Sequence, residues 1–165
     1  MRYLILSIIA LFWGVCATGQ TRSYSSNASK TFVLGLDSYF FGEEGTLTFQ
    51  AGGKNVEAAL ISGDVKLGGT LLSSGEGDSI VGVHDFSGNG VPELMVARRE
   101  GAMLNAEIYT LRSGEWKLVE KMVAEAKEIR IFRQVVSIRS GDALLSWTWH
   151  GDKFDFKASD GRPKP

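Results

Sequence analysis

The sequence predicts an all-β, antiparallel fold. Its composition favours strands and tight turns, since 20 Gly stand against 3 Pro and the aromatic residues comprise 9 Phe, 4 Trp and 4 Tyr. Short apolar or alternating runs also recur along the chain, separated by Gly, Asn, Asp and Ser. Hydrophobic residues make up 44% of the 165 residues, so the chain can bury a core, and this length favours one folded domain.

The charge balance argues against a nucleic-acid partner. Lys and Arg together number 18 against 19 Asp and Glu, for a net charge of -1. A protein that holds a phosphate backbone or an anionic membrane surface needs an excess of basic side chains. We therefore expect neither partner.

The first residues have the pattern of an export signal. Arg2 precedes an apolar run over 4–13, and small residues follow at 17–19. The apolar run falls short of the ~20 residues of a spanning helix, so we expect a signal peptide over 1–19 that is cleaved, with an uncleaved anchor as the alternative. The mature protein would be secreted or periplasmic, without a membrane span. It would contain no cysteine, because the only one, Cys16, lies in the signal.

The polar, Ser-rich stretch 20–30 predicts a flexible lead-in, followed by a single all-β domain over 31–160. The spacing of its candidate strands is typical of small β folds, which makes the domain propeller-like or, alternatively, sandwich-like. The candidate strands are 31–36, 46–50, 56–62, 65–72, 79–84, 92–98, 105–111, 116–122, 129–133, 135–139, 143–149 and 153–157.

Two hairpins are clear, with turns at 112–115 and 150–152, and their likeness suggests a weak repeat of roughly 40 residues, in the range of propeller blades. Residues 120–129 contain helix formers at helical spacing, which predicts one or two helical turns between strands. Trp147 and Trp149 alternate and therefore share one face of a strand. They either fill a core between sheets or form an exposed aromatic platform for a sugar or a protein.

One stretch carries metal-binding chemistry. Oxygen-bearing side chains recur at alternate positions, a glycine at the sixth place permits a sharp turn, and an acid follows at the ninth. This rhythm is that of a calcium loop, because Ca²⁺ takes many oxygen ligands from a short turning segment. The sequence predicts a calcium loop over 85–93, and its ligands are Asp85, Ser87, Asn89, the backbone carbonyl of Val91, and Glu93.

The flanks of this loop exclude an EF-hand, which needs helices on both sides and a Glu where this chain has Val96. A strand, an Asp-x-Ser-Gly-Asn-Gly-x-x-Glu loop and a second strand resemble the VCBS and FG-GAP repeats, calcium-binding segments of β-propellers. Ser87 and Asn89 stand where those repeats prefer Asp, so we expect weak binding, with a dissociation constant on the order of 0.1–1 mM. The alternative is a metal-free glycine turn in which Asp and Asn side chains cap backbone amides.

The layout of the whole chain also resembles small periplasmic proteins with one such loop, some of which are lysozyme inhibitors or immunity proteins. The resemblance implies an exported, non-catalytic, calcium-binding β domain that binds a protein partner, and a cell-wall hydrolase is the partner it indicates. The alternatives are a small enzyme acting on envelope glycans and a purely structural module. No residue is predicted to be catalytic: His84 and His150 lie in no recognisable catalytic setting, and the acids at 43–44 and 76–78 are typical of solvated turns.

Overall fold

The computed structural model describes residues 32–35, 39–42 and 44–161. The predicted signal peptide and lead-in lie outside these residues. No helix among them has the length and apolarity to cross a membrane. Fourteen strands account for most of the described chain: β1 (Val33–Gly35), β2 (Tyr39–Phe41), β3 (Gly45–Ala51), β4 (Lys54–Ile61), β5 (Asp64–Leu67), β6 (Thr70–Ser73), β7 (Asp78–His84), β8 (Glu93–Glu100), β9 (Met103–Arg112), β10 (Glu115–Glu125), β11 (Ile129–Phe132), β12 (Val135–Ser140), β13 (Ala143–His150) and β14 (Lys153–Asp160).

The strands form three sheets, none of which closes into a barrel. The first sheet has the order β3-β4-β5-β6, the middle sheet β10-β9-β8-β7-β2, and the third sheet β1-β11-β12-β13-β14. Neighbouring strands pair antiparallel, except that β1 runs parallel to β11. Each sheet therefore contains a run of consecutive strands joined by turns or short loops, and the predicted all-β, antiparallel class is confirmed.

The core has two layers, one on each face of the middle sheet. Strand β8 shows this most clearly, because Leu94 and Val96 pack toward the first sheet while Met95 and Ala97 pack toward the third, and all are fully buried. Successive side chains of a strand point to opposite faces, so burial on both faces makes the strand continuously apolar. The middle sheet thus lies between the other two.

The tryptophan pair belongs to the core. Trp147 and Trp149 are 6% and 7% exposed and lie in the layer between the middle and third sheets. Phe154 of the neighbouring strand packs edge-on against Trp149 with the ring centroids 5.1 Å apart. The core interpretation is confirmed, and the exposed aromatic platform is excluded.

The helical turns predicted for 120–129 are wrong, because β10 continues as a strand to Glu125. A bulge between Leu118 and Glu120 shifts the alternation, so that Met122 and Ala124 are buried while Val123 between them is exposed. Pairing along β9 and burial against the third sheet outweigh the helix propensity of this segment. The run 65–72 is also divided into two strands at Gly68 and Gly69, both of which have positive φ, and β2 was not predicted.

Candidate metal centre and a buried polar network

The predicted calcium loop connects two paired strands of the middle sheet. Strand β7 ends at His84 and β8 begins at Glu93, and these two residues are partners in the ladder. The intervening residues 85–92 form the β7–β8 loop. Both flanks are therefore strands, as the sequence predicted.

Asp85 holds this loop closed through its carboxylate. Its Oδ1 accepts hydrogen bonds from the N–H groups of Gly88 (2.7 Å) and Asn89 (3.2 Å) and from the hydroxyl of Ser87 (3.1 Å). Its Oδ2 accepts the N–H of Gly90 at 2.8 Å. Gly88 and Gly90 have φ of +69° and +82°, a backbone conformation that glycine adopts without strain. The Asp85 side chain thus acts as an acceptor centre around which the backbone turns.

Glu93 adds a second carboxylate from the start of β8. It is only 2% exposed, and its Oε2 accepts the N–H groups of Phe86 (2.8 Å) and Ser87 (3.4 Å). Burial raises the pKa of Glu93, the charge of Asp85 raises it further, and hydrogen bonds from Phe86 and Ser87 oppose the rise. Ser87 therefore hydrogen-bonds to both carboxylates, through its hydroxyl to Asp85 and through its backbone N–H to Glu93.

Asn89, another of the predicted ligands, makes a hydrogen bond within the turn. The Asn89 side-chain oxygen accepts the N–H of Val91 at 2.7 Å, so Asn89 caps its own turn. Within the described ranges no group of three or more His, Cys, Asp or Glu side chains is arranged as a metal site. A centre here would therefore rest on two carboxylates with hydroxyl and amide oxygens, a donor set that fits a hard cation such as Ca²⁺.

A cluster of aromatic rings packs against the β7–β8 loop on the side of the third sheet. Phe86 is fully buried, and its ring lies edge-on to His84 (4.5 Å between centroids) and to Phe154 of β14 (5.4 Å). His84 is buried as well, and its Nε2 donates to the carbonyl oxygen of Arg133 at 2.6 Å. These contacts fasten the β7–β8 loop to the turn between β11 and β12.

A second polar cluster, which the sequence did not predict, lies where the middle sheet meets the first sheet. Glu107 is its centre: Oε2 accepts the hydroxyls of Ser73 (2.8 Å) and Tyr109 (2.9 Å), and Oε1 accepts the ammonium of Lys121 (3.1 Å). Arg98 joins through Nη1, which donates to the Ser73 hydroxyl at 2.8 Å. We call these five residues the Glu107 network.

Arg98 is the most deeply placed charge in this network, at 7% exposure. Its Nη2 donates to the carbonyl oxygen of Gly63 at 3.1 Å, whereas its Nε is buried with no hydrogen-bond partner among the described residues. Burial lowers the pKa of Arg98, and the negative charge of Glu107 opposes that effect. One sequence signal was available, since Arg98 follows Leu94 and Val96 at every second position and so falls in phase with core side chains.

The surroundings of the Glu107 network shift the pKa values of Glu107 and Tyr109 in opposite directions. Burial alone would raise the pKa of Glu107, but hydrogen bonds from Ser73, Tyr109 and Lys121 lower it below the usual value. Burial, followed by the hydrogen bond to Glu107, raises the pKa of Tyr109 to about 12. At neutral pH the cluster therefore holds an ionised Glu107 and a protonated Tyr109.

The remaining sequence candidates have structural contacts. Glu44 accepts both the N–H (3.0 Å) and the hydroxyl (3.1 Å) of Ser62, and Asp78 pairs with Arg99 at 3.0 Å. His150 is exposed at the tip of the β13–β14 hairpin and lies 3.1 Å from Asp155. Glu43 is outside the described residues. These contacts are those expected of solvated turn and strand residues.

Comparison of the chain with protein-family models, with curated proteins and with solved structures finds no match.

Proposed function

We propose that this chain is an exported, non-catalytic β domain that binds calcium in the β7–β8 loop and binds a protein partner through the surface beside it. The observation that carries the proposal is that Ser87 joins two carboxylates in a loop between two strands, donating its hydroxyl to Asp85 and its backbone N–H to Glu93. The export pattern of residues 1–19 supports it, because weak calcium sites are useful where calcium is plentiful.

The residues that would hold the ion are Asp85 and Glu93 with their charges, and Ser87 with its hydroxyl oxygen. A divalent cation would offset the repulsion between the carboxylates of Asp85 and Glu93. Its effect would be to stabilise the loop, and the chain's own residues would keep their present hydrogen bonds to backbone amides. Oδ2 of Asp85 accepts a single N–H, so its second lone pair leaves room for a further contact, whereas Oδ1 already accepts three hydrogen bonds.

The arrangement of the sheets supports the propeller-like form of the proposal. The consecutive strands β3–β6 form one antiparallel meander, β7–β10 a second and β11–β14 a third. The meanders stack in the same order as they occur in the chain, with the second between the first and the third. Repeated four-stranded units of this kind are typical of propeller blades. In the proposal, the calcium loop belongs to the middle unit alone.

The partner surface that we propose lies on the β11–β12 turn, next to the loop. Phe132 is 57% exposed there, and the guanidinium of Arg133 lies 5.3 Å from the centre of its ring. His84 connects this turn to the loop through the carbonyl of Arg133. Aromatic and arginine side chains contribute most of the energy in many protein interfaces. The resemblance of the chain's layout to lysozyme inhibitors suggests a cell-wall hydrolase as the partner.

Calcium is expected to stabilise the protein. At about ten times the dissociation constant the gain in unfolding free energy is about 1.4 kcal/mol, which corresponds to about 4 °C in melting temperature for a chain of this size. Melting curves in ~10 mM calcium, in ~10 mM magnesium and in chelator measure this shift in melting temperature. The calcium concentration is about ten times the upper end of the expected range of dissociation constants. Glu93→Gln should abolish the calcium shift, whereas Glu76→Gln, an exposed loop acid, should keep it.

A structural, metal-free turn is the second candidate, because both oxygens of Asp85 already accept hydrogen bonds from its own loop. Identical melting curves in calcium and chelator would establish that candidate and reject the calcium site. A calcium shift that survives in both Glu93→Gln and Ser87→Ala would place the ion elsewhere and would equally reject this loop.

Partner binding is testable with purified lysozyme-like hydrolases that digest a peptidoglycan suspension. Added protein should lower their turnover, and the double variant Phe132→Ala with Arg133→Ala should weaken this inhibition at least tenfold, because an interface hot spot contributes about 2 kcal/mol or more. Leu71→Ala is the matched control, since Leu71 is 55% exposed on a different sheet. Unchanged turnover of every hydrolase would reject the inhibitor role, and digestion of peptidoglycan by the protein alone would favour the enzyme.

A further inference from the structure

The outer edge of the third sheet is formed by β14, which pairs only with β13 among the described strands. The N–H of Trp149 donates to the carbonyl oxygen of Gln134, on the side away from β14. Backbone groups alternate in direction along an antiparallel ladder. Since Trp149 is the ladder partner of Phe154, the N–H and C=O groups of Phe154, Phe156 and Ala158 point away from β13, toward the open side.

The side chains of this edge are unusual for a protected strand. On the inner face Phe156 is 58% exposed, although its ring lies 5.0 Å from that of the buried Trp147. On the outer face Lys153, Asp155 and Lys157 alternate in charge, and all three are exposed. The outward backbone groups of this extended edge have no strand partner in the described part of the chain, and an exposed aromatic side chain lies beside them. Such an edge is a ready template for another strand.

We propose that β14 pairs antiparallel with β14 of a second copy of this chain, with the two-fold axis at Phe156. In this register Phe156 lies opposite the same residue of the second copy, and the outward backbone groups of Phe154 and Ala158 meet each other across the axis. Asp155 lies opposite Lys157 of the second copy, and the symmetry repeats this pair on the other side. The pairing joins two third sheets into one continuous sheet.

Charge complementarity selects a second copy as the occupant. Because Asp155 and Lys157 flank Phe156 with opposite signs, reversal of the strand about Phe156 places each charge against its opposite. A parallel arrangement in the same register would place Asp155 against Asp155 and Lys157 against Lys157. Phe156 is also near the middle of β14, so this register uses the full length of the strand. Opposite charges directly across an antiparallel pair stabilise it, and like charges destabilise it.

The test is the oligomeric state of the purified protein, measured by sedimentation equilibrium from about 1 µM to about 1 mM, with calcium and with chelator. We expect a reversible dimer in both. Asp155→Lys and Lys157→Asp, each alone, should raise the dimer dissociation constant about tenfold or more, because each places two pairs of like charges in the interface. The double variant restores opposite charges and should regain the original dissociation constant. Lys54→Glu, a charge reversal at an exposed site of the first sheet, is the control and should leave it unchanged.

Restoration in the double variant is a result that general loss of stability cannot produce, so it separates pairing from misfolding. A protein that stays monomeric into the millimolar range overturns the proposal. A dimer that tolerates both single charge reversals uses another surface, and it overturns the proposal as well. The dimer does not depend on the proposed function, because neither calcium nor Phe132 takes part in this edge.

Discussion

Replacing Phe86 by alanine is expected to lower the free energy of unfolding by about 3–5 kcal/mol, the range found when a buried phenylalanine is truncated. Phe86 is fully buried, and its ring contacts His84 at the end of β7 and Phe154 on β14. Removal of the ring leaves a cavity between the middle and third sheets, directly beneath the β7–β8 loop. The loop should therefore become mobile together with the loss of stability.

Urea unfolding at neutral pH measures this loss, and Phe132→Ala is the matched control. Phe132 is 57% exposed, so its truncation should cost less than about 1 kcal/mol. Phe86→Ala should also remove the calcium-dependent rise in melting temperature, because the loop that carries the proposed ligands loses the packing that fixes it. Equal losses for Phe86→Ala and Phe132→Ala would contradict the burial of the Phe86 ring between the two sheets.

Replacing Arg98 by alanine is expected to cost about 3 kcal/mol, within the range for breaking a buried charged interaction. Its guanidinium donates to Ser73 of β6 and to the carbonyl of Gly63, so it connects the first sheet to the middle sheet. Its loss leaves the Gly63 carbonyl without this donor and takes positive charge away from Glu107. The packing of the arginine stem is lost at the same time.

The neighbouring Arg99 supplies a control of the same residue type. It points to the opposite face of β8, its side chain is 30% exposed, and it pairs with Asp78 at 3.0 Å. Its guanidinium also lies 4.9 Å from the centre of the Phe32 ring. Arg99→Ala should therefore cost about 1–2 kcal/mol, because a partly exposed ion pair and one cation–π contact each contribute little. Similar losses of unfolding free energy in Arg98→Ala and Arg99→Ala would show that the buried contacts of Arg98 contribute no more to stability than the contacts of Arg99.

The Glu107 network also predicts how stability changes with acid. Because folding lowers the pKa of Glu107, its ionised form contributes stability above the unfolded-state pKa. That contribution is lost as the pH falls through the lower, folded-state value. The difference in unfolding free energy between the wild type and Glu107→Gln should therefore shrink as the pH falls below about 4.5. A difference that is constant over this pH range would contradict the pKa shift.

Local patterns were sufficient for most strands and for the position of the loop. Glycine turns, alternating apolar residues and the spacing of oxygen-bearing side chains are properties of a few neighbouring residues, so they are readable without the fold. The flanks of the β7–β8 loop were predicted correctly for this reason. The calcium ligand set of Asp85, Ser87, Asn89, Val91 and Glu93 remains a prediction. The hydrogen bonds from the loop's own N–H groups to Asp85 and Asn89 are also those of the alternative, a metal-free turn.

Other features depended on residues far apart in the chain. Residues 120–125 have helix-forming composition, and pairing with β9 together with burial against the third sheet made them a strand. The Glu107 network draws on β6, β8, β9 and β10, and no local pattern relates those positions to one another.

The amino-acid order by itself determined the β class, the turns and the placement of the Asp85 loop, because each depends on backbone preferences over a few residues. Tertiary structure alone decided that Trp147 is covered while Phe156 on the adjacent strand is open, and that Arg98 is enclosed while Arg99 reaches solvent. The physical reason is that burial depends on which sheet covers a face, and a strand's own residues do not specify the sheet that packs upon it.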